Sequence, residues 1–94
     1  MQKLVNDFNE LAEKFRAIGH PARLAIIDLL CHCGCRHLTV KEIYEGLKID
    51  QPVVSRHLSI MRNNGVLKRK QKNGCVYYSL TGDKEVNCIK KCFK

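Results

Sequence analysis

Between residues 50 and 80 the hydrophobic period of the chain switches once, from that of a helix to that of a hairpin, and this switch limits the fold more than any other feature. Val54, Leu58 and Met61 recur at i, i+4 and i+7, one apolar stripe of helical period. Asp50 stands where a helix N-cap belongs, and Pro52 falls in a first turn, where its missing N–H costs nothing. Asn63-Asn64-Gly65 closes the helix. Two β-rich runs follow at once, residues 66–71 and 75–80, on either side of Asn73-Gly74, the strongest short hairpin signal. At 100° per residue, Pro52, Val53, Ser55, Arg56 and Ser59 point away from the apolar stripe. That outer face is short, polar and singly basic. It suits a helix entering a DNA major groove better than one that is merely solvated.

The charge distribution agrees. Of the formal net charge of +8, residues 50–80 contribute +5, from Arg56, Arg62, Lys68, Arg69, Lys70 and Lys72 against Asp50 alone. Residues 1–16 are neutral, residues 17–49 carry +1 and the remainder +2. A positive field concentrated on one helix and one hairpin favours phosphate binding and steers a polyanion toward them, although a solvated basic face would look the same.

The rest of the chain supplies a small helical core. Leu4, Phe8, Leu11, Phe15 and Ile18 form the stripe of a first helix, ended by Gly19. Pro21 opens a second helix with Leu24, Ile27 and Leu30 on one face. The run Cys31-His32-Cys33-Gly34-Cys35-Arg36-His37 resembles no regular element. Thr39 and Glu42 have the spacing of a capping box at the start of a third helix, with Ile43 and Leu47 facing inward. Asp83 can cap a last helix carrying Val86, Ile89 and Phe93. The expected fold is mainly α (α+β): a winged helix-turn-helix of about five helices with a two-stranded β-hairpin wing. It forms a single domain over residues 1–94, with the helix-turn-helix at 39–65 and the wing at 66–80.

At 45% apolar and 28% charged residues, the composition is that of a globular domain and not of a disordered one. No apolar run approaches the roughly 18 residues that span a bilayer, and no signal-peptide pattern opens the chain, so a cytoplasmic protein is expected with no membrane partner. Catalysis is not expected, since there is no Gly-rich phosphate loop, no carboxylate pair placed for a cleft and no nucleophile with an ordered base.

Three segments resemble a known family. Ile18-Gly-His-Pro-Ala-Arg-Leu-Ala-Ile-Ile-Asp-Leu-Leu30 is similar to the opening of the second helix in the arsenical-repressor (ArsR/SmtB) transcription regulators. Leu38-Thr-Val-Lys-Glu-Ile43 with Gln51-Pro-x-Val-Ser-x-His-Leu58 resembles their helix-turn-helix. Gly65-Val-Leu with Asn73-Gly-x-Val-Tyr-Tyr-Ser-Leu80 resembles their wing, so the likeness covers roughly residues 15–80. The resemblance implies a homodimeric repressor whose grip on double-stranded operator DNA is loosened by metal ions, metalloids or thiol-modifying agents. It implies dimerisation through the first and last helices, residues 1–18 and 83–94. The stripes Leu4, Phe8, Leu11 and Phe15, and Val86, Ile89 and Phe93, are compatible with that, and equally with packing on the protomer's own core. Carried over by position, Gln51, Ser55 and Arg56 become the groove-facing residues, with Val53 and Ser59 beside them. Gln matches adenine edges, Arg prefers guanine and Ser accepts several partners. Arg62, Lys68, Arg69, Lys70 and Lys72 are assigned to phosphates, which position a protein without reading sequence. His57, beside the apolar stripe, reads as a satisfied, semi-buried histidine.

Six cysteines exceed what packing needs in a chain of this length. Cys31, Cys33 and Cys35 alternate too tightly for unstrained internal disulfides, and Arg36 and Lys41 nearby favour the thiolate form. Cys88 and Cys92 lie four residues apart, on one side of the expected last helix and away from its apolar stripe. Cys75 stands alone beside the wing turn. The five clustered cysteines therefore form a candidate sensor for As(III), Cd(II), Zn(II) or Cu(I). The same thiols could instead respond to oxidants or persulfides, serve a metal-handling protein that uses the fold as a scaffold, or play no sensing role. The chain departs from the founding arsenic sensors at Thr39 and Lys41, which replace both cysteines of their Leu-Cys-Val-Cys-Asp motif. The carboxylate and histidine ligands of the family's zinc site on the last helix are missing too.

Overall fold

The computed structural model describes residues 2–32 and 37–82. Helix α1 spans Gln2–Ile18 and α2 spans Pro21–His32. Strand β1, Leu38–Thr39, leads directly into α3, Val40–Leu47, and α4 covers Gln51–Asn63. Strands β2, Leu67–Lys72, and β3, Cys75–Leu80, complete the order. The described residues thus hold four helices; the expected fifth, from Asp83, lies outside them.

Local chemistry explains where the elements begin and turn. The Thr39 side chain accepts a hydrogen bond from the Glu42 amide at 3.2 Å, and the Thr39 amide donates to the Glu42 carboxylate at 2.9 Å. This is the capping box anticipated from the spacing. Lys48, in the left-handed conformation (φ 57°), ends α3, and Ile49 and Asp50 complete the tight link to α4. Asp50 occupies the N-cap position of α4, as expected, but its side chain makes no capping bond. Proline at the second helical position removes one of the two amides such a carboxylate could accept from, and the Val53 amide bonds the Asp50 carbonyl instead, at 3.1 Å. In the wing, Asn73 (φ 53°) and Gly74 (φ 80°) both adopt positive φ, as a two-residue type I′ turn requires.

Strands β2 and β3 form the expected two-stranded wing hairpin, and β1 adds a third strand to it. Its sheet has three antiparallel strands in the order β1-β3-β2, with Leu38 opposite Tyr78 and Thr39 opposite Tyr77. Two residues ahead of α3 thereby anchor the wing to the helix-turn-helix. Cys31 and His32, expected to be irregular, form the last turn of α2.

Beneath these elements lies one aliphatic core. Ile26, Ile27 and Leu30 of α2, Ile43 of α3, and Val54, Leu58 and Met61 of α4 are buried together with Val66 and Leu67. Each fully buried side chain of this size is worth roughly 1.5–3 kcal/mol of transfer free energy. The α4 stripe is therefore the one read from the sequence. On α2 the buried face is wider than expected, because Ile26 joins it. At the end of α4, Gly65 turns with φ 78°, and the Thr81 hydroxyl donates to the Gly65 carbonyl at 2.8 Å. That bond ties the far end of β3 to the exit of α4.

Candidate nucleic-acid interface

With Val54, Leu58 and Met61 locked in the core, the rest of α4 has no choice of direction. Gln51, Pro52, Val53, Arg56, Ser59 and Arg62 are exposed and Ser55 is half-buried. Val53 stands out as an aliphatic side chain 40% exposed among polar neighbours in the first turn. Arg62 lies in the last turn, where a cation also complements the helix dipole. The outer face of α4 therefore offers an amide, a guanidinium, hydroxyls and one branched apolar group. These are the groups that recognise base edges and a thymine methyl.

Strand alternation sorts the wing cations. Lys68, Lys70 and Lys72 share one face of β2, opposite Ser79, Tyr77 and Cys75 of β3. The other face holds Leu67, Arg69 and Gln71, and is the one whose Leu67, Tyr78 and Leu80 meet the core. The lysine stripe consequently looks outward, along an open cleft of about 690 Å³ that Arg69 and Asn73 also line. At its edge, His37 meets Tyr77 edge-to-face, ring centroids 5.0 Å apart. Cys75 is exposed at the start of β3, beside Lys72.

His57 points into the molecule, 9% exposed and buried beside Leu58, in agreement with its expected role as a satisfied histidine. Two of its partners were not foreseen. The Arg23 Nε–H donates to His57 Nδ1 at 3.1 Å, and the ring of His20 lies 4.6 Å from that of His57, tilted by 48°. His20 and Arg23 stand in the His-Pro-Ala-Arg segment, whose one local signal is a polar residue immediately before a helix-opening proline. Nothing in the sequence joins that segment to His57, which follows Arg23 by 34 residues.

A family model described as "Bacterial regulatory protein, arsR family" matches residues 20–69, more than half of the chain. This chain belongs to the arsR family of bacterial regulatory proteins. The match spans α2, the helix-turn-helix and the first half of β2. An HTH-type transcriptional regulator of Methanocaldococcus jannaschii is 34% identical over 88% of this chain and 91% of its own length. The transcriptional repressor PagR of Bacillus anthracis is 39% identical over 84% of this chain and 77% of its own. The crystal structure of PagR superposes with a TM-score of 0.82, covering 96% of this chain and 99% of that one at 33% identity. A homodimeric winged helix-turn-helix DNA-binding domain from Mycobacterium bovis reaches a TM-score of 0.86 over 98% of this chain and 82% of its own. At 17% identity, that last likeness speaks for the fold alone. The fold class read from the sequence, a winged helix-turn-helix, is that of the family, and the chain is a transcription regulator.

The other candidate residues divide by position. On α1, Phe8 and Phe15 are 59% and 46% exposed, Leu11 is half-buried and Ile18 is buried in the core. Leu4 belongs to the same helix. Val86, Ile89 and Phe93 lie outside the described residues, as do Cys33, Cys35, Cys88 and Cys92. Cys31 is half-buried at the end of α2 and packs against the core. Among the described residues no cluster of His, Cys, Asp or Glu could hold a metal ion. Thr39, where the founding arsenic sensors carry a cysteine, is engaged in the α3 capping box, so that arsenic site does not fit this chain. No helix among the described residues is long and apolar enough to cross a membrane.

Proposed function

We propose that this regulator is a homodimeric, sequence-specific repressor that lays α4 in the major groove of its operator and sets the outer face of the wing on the flanking phosphates. The observation that carries this reading is the division of α4. Val54, Leu58 and Met61 are fully buried, so Val53, Arg56 and Ser59 stand exposed on the opposite side, with Ser55 half-buried beside them and Gln51 exposed in the first turn. Gln51 and Arg56 are the base-reading residues, Ser55 and Ser59 assist, and Val53 faces a thymine methyl. Arg62, Arg69 and the stripe of Lys68, Lys70 and Lys72 supply counterion-releasing phosphate contacts. Several of its relatives, PagR among them, are repressors by name, which supports repression as the outcome of binding. Dimerisation runs through the side of α1 that carries Leu4, Phe8, Leu11 and Phe15, of which Phe8 and Phe15 are exposed, with Val86, Ile89 and Phe93 as the second contribution.

The input is a thiophilic metal or metalloid held by thiolates drawn from Cys31, Cys33, Cys35, Cys88 and Cys92. Bound there, such an ion cross-links the end of α2 to the C-terminal segment, and so changes the dimer and the spacing of the two α4 helices. The support for this input is the number and spacing of the cysteines, and the cations beside them. One titration tests both halves. Reduced protein on a duplex enriched from a random pool is challenged with As(III), Cd(II), Zn(II) and Cu(I), and separately with an oxidant. Release by an ion, abolished by Cys33→Ser or Cys88→Ser, supports the metal input. Release by the oxidant alone transfers the input to redox chemistry. Indifference to all of them removes the sensor and leaves the DNA reading standing.

A further inference from the structure

Arg23, in the first turn of α2, joins three helices. Its Nη1 donates to the Arg16 carbonyl at 3.2 Å, satisfying one of the acceptors left open in the last turn of α1. Its Nε donates to Nδ1 of His57 on α4 at 3.1 Å. The His57 ring also lies against His20, whose own Nδ1 accepts the Ala22 amide at 3.1 Å and so caps α2. A guanidinium can only donate, so the hydrogen-bonded Nδ1 of His57 must carry a lone pair, and the neutral ring holds its proton on Nε2. The charged and titratable groups facing His57 are His20 before α2, Arg23 on α2 and Arg56 on α4 itself. Burial, and then these three groups, hold its pKa below the ordinary histidine value.

We propose that Arg23 is a positioning residue for DNA binding: through a neutral His57 it fixes α4 relative to the end of α1, so that recognition of the operator requires His57 to be unprotonated. Arg56, the next residue along, sits on the groove-facing side of α4. Any rotation of the helix that frees His57 from Arg23 therefore moves Arg56 off its register. Protonation places an N–H where Arg23 donates, and sets an imidazolium against a guanidinium at hydrogen-bond distance. The junction then opens. This inference rests on the DNA reading above, and its sign is unusual. Added positive charge by itself strengthens attachment to any duplex, whereas opening this junction weakens attachment to the cognate one.

The test uses the full chain and a fluorescein-labelled duplex enriched from a random pool at pH 7.5, with a scrambled duplex beside it, at fixed salt. On acidification to pH 5.5, cognate affinity falls several-fold. The ceiling is about tenfold per protomer, the neutral fraction of an ordinary imidazole one unit below its pKa being about a tenth. Affinity for the scrambled duplex holds or rises. His57→Asn, whose carboxamide oxygen can accept from Arg23 at either pH, retains cognate binding at pH 7.5 and loses the acid effect. Arg23→Lys weakens cognate binding at pH 7.5 and flattens the profile; circular dichroism at both pH values confirms that each variant is folded. The inference is overturned if wild-type cognate binding is flat or tightens on acidification, or if His57→Asn keeps the wild-type profile. Failure to enrich any sequence at pH 7.5 would instead overturn the DNA reading on which it stands.

Discussion

Arg56 and His57 are adjacent in the chain, yet one looks to solvent and the other into the core, because successive helical residues differ by 100°. Their substitutions therefore report on different things. Arg56→Ala is expected to weaken cognate binding by about 1–3 kcal/mol and to relax selection at one operator position, read by repeating the enrichment with the variant. His57 also leaves a mark on stability. Its folded-state pKa lies below the unfolded value, chiefly through desolvation. The unfolded chain therefore takes up the proton first as pH falls. Its contribution to stability is complete above about pH 6.5 and is lost as pH drops from there through the folded-state value. Urea midpoints at pH 7.5 and 5.5 check this: the wild type loses stability over that interval by a margin that His57→Asn lacks. Glu42, held below the ordinary carboxylate value by hydrogen bonds from Thr39, behaves in the same sense but at more acid pH.

At the scale of the element, the helix-turn-helix rests on local devices that mutation can weigh. Removing the capping hydroxyl with Thr39→Ala is expected to cost about 1 kcal/mol, measured by denaturant unfolding. In the wing, Lys70→Ala should weaken cognate and scrambled duplexes alike and lower the slope of log K against log salt by about 1. A loss confined to the cognate duplex would instead place Lys70 at a base edge. These devices were legible in the sequence because each depends on neighbours: Thr39 with Glu42, Asn73 with Gly74, and Val54 with Leu58 and Met61. What was not legible depends on pairs distant along the chain. The third strand exists because Leu38 and Thr39 find Tyr78 and Tyr77, and no period can show in two residues. The Arg23–His57 bond likewise needs α2 and α4 already packed. Asp50 takes the N-cap position read from the sequence, but its carboxylate caps nothing, because Pro52 has no N–H to offer and the Val53 amide bonds the Asp50 carbonyl.

For the whole molecule, the questions are how many copies act and where they sit. Phe8 and Phe15, more than two-fifths exposed on one side of α1, are aromatic area that a protomer this small leaves uncovered. Phe15→Asp is expected to shift sedimentation toward the monomer and to lower cognate affinity with it, since each α4 then reads one half-site alone. Unchanged sedimentation would move the dimer contact elsewhere. Two copies related by a two-fold axis place their α4 helices in successive major grooves, about 34–36 Å apart or a multiple of that. The most direct measurement of this arrangement is methylation interference on the enriched duplex. Methyl groups at guanine N7, on the major-groove edge, are predicted to block binding in two symmetric clusters about one helical turn apart or a multiple of it. Binding indifferent to N7 methylation anywhere in the duplex would contradict the account.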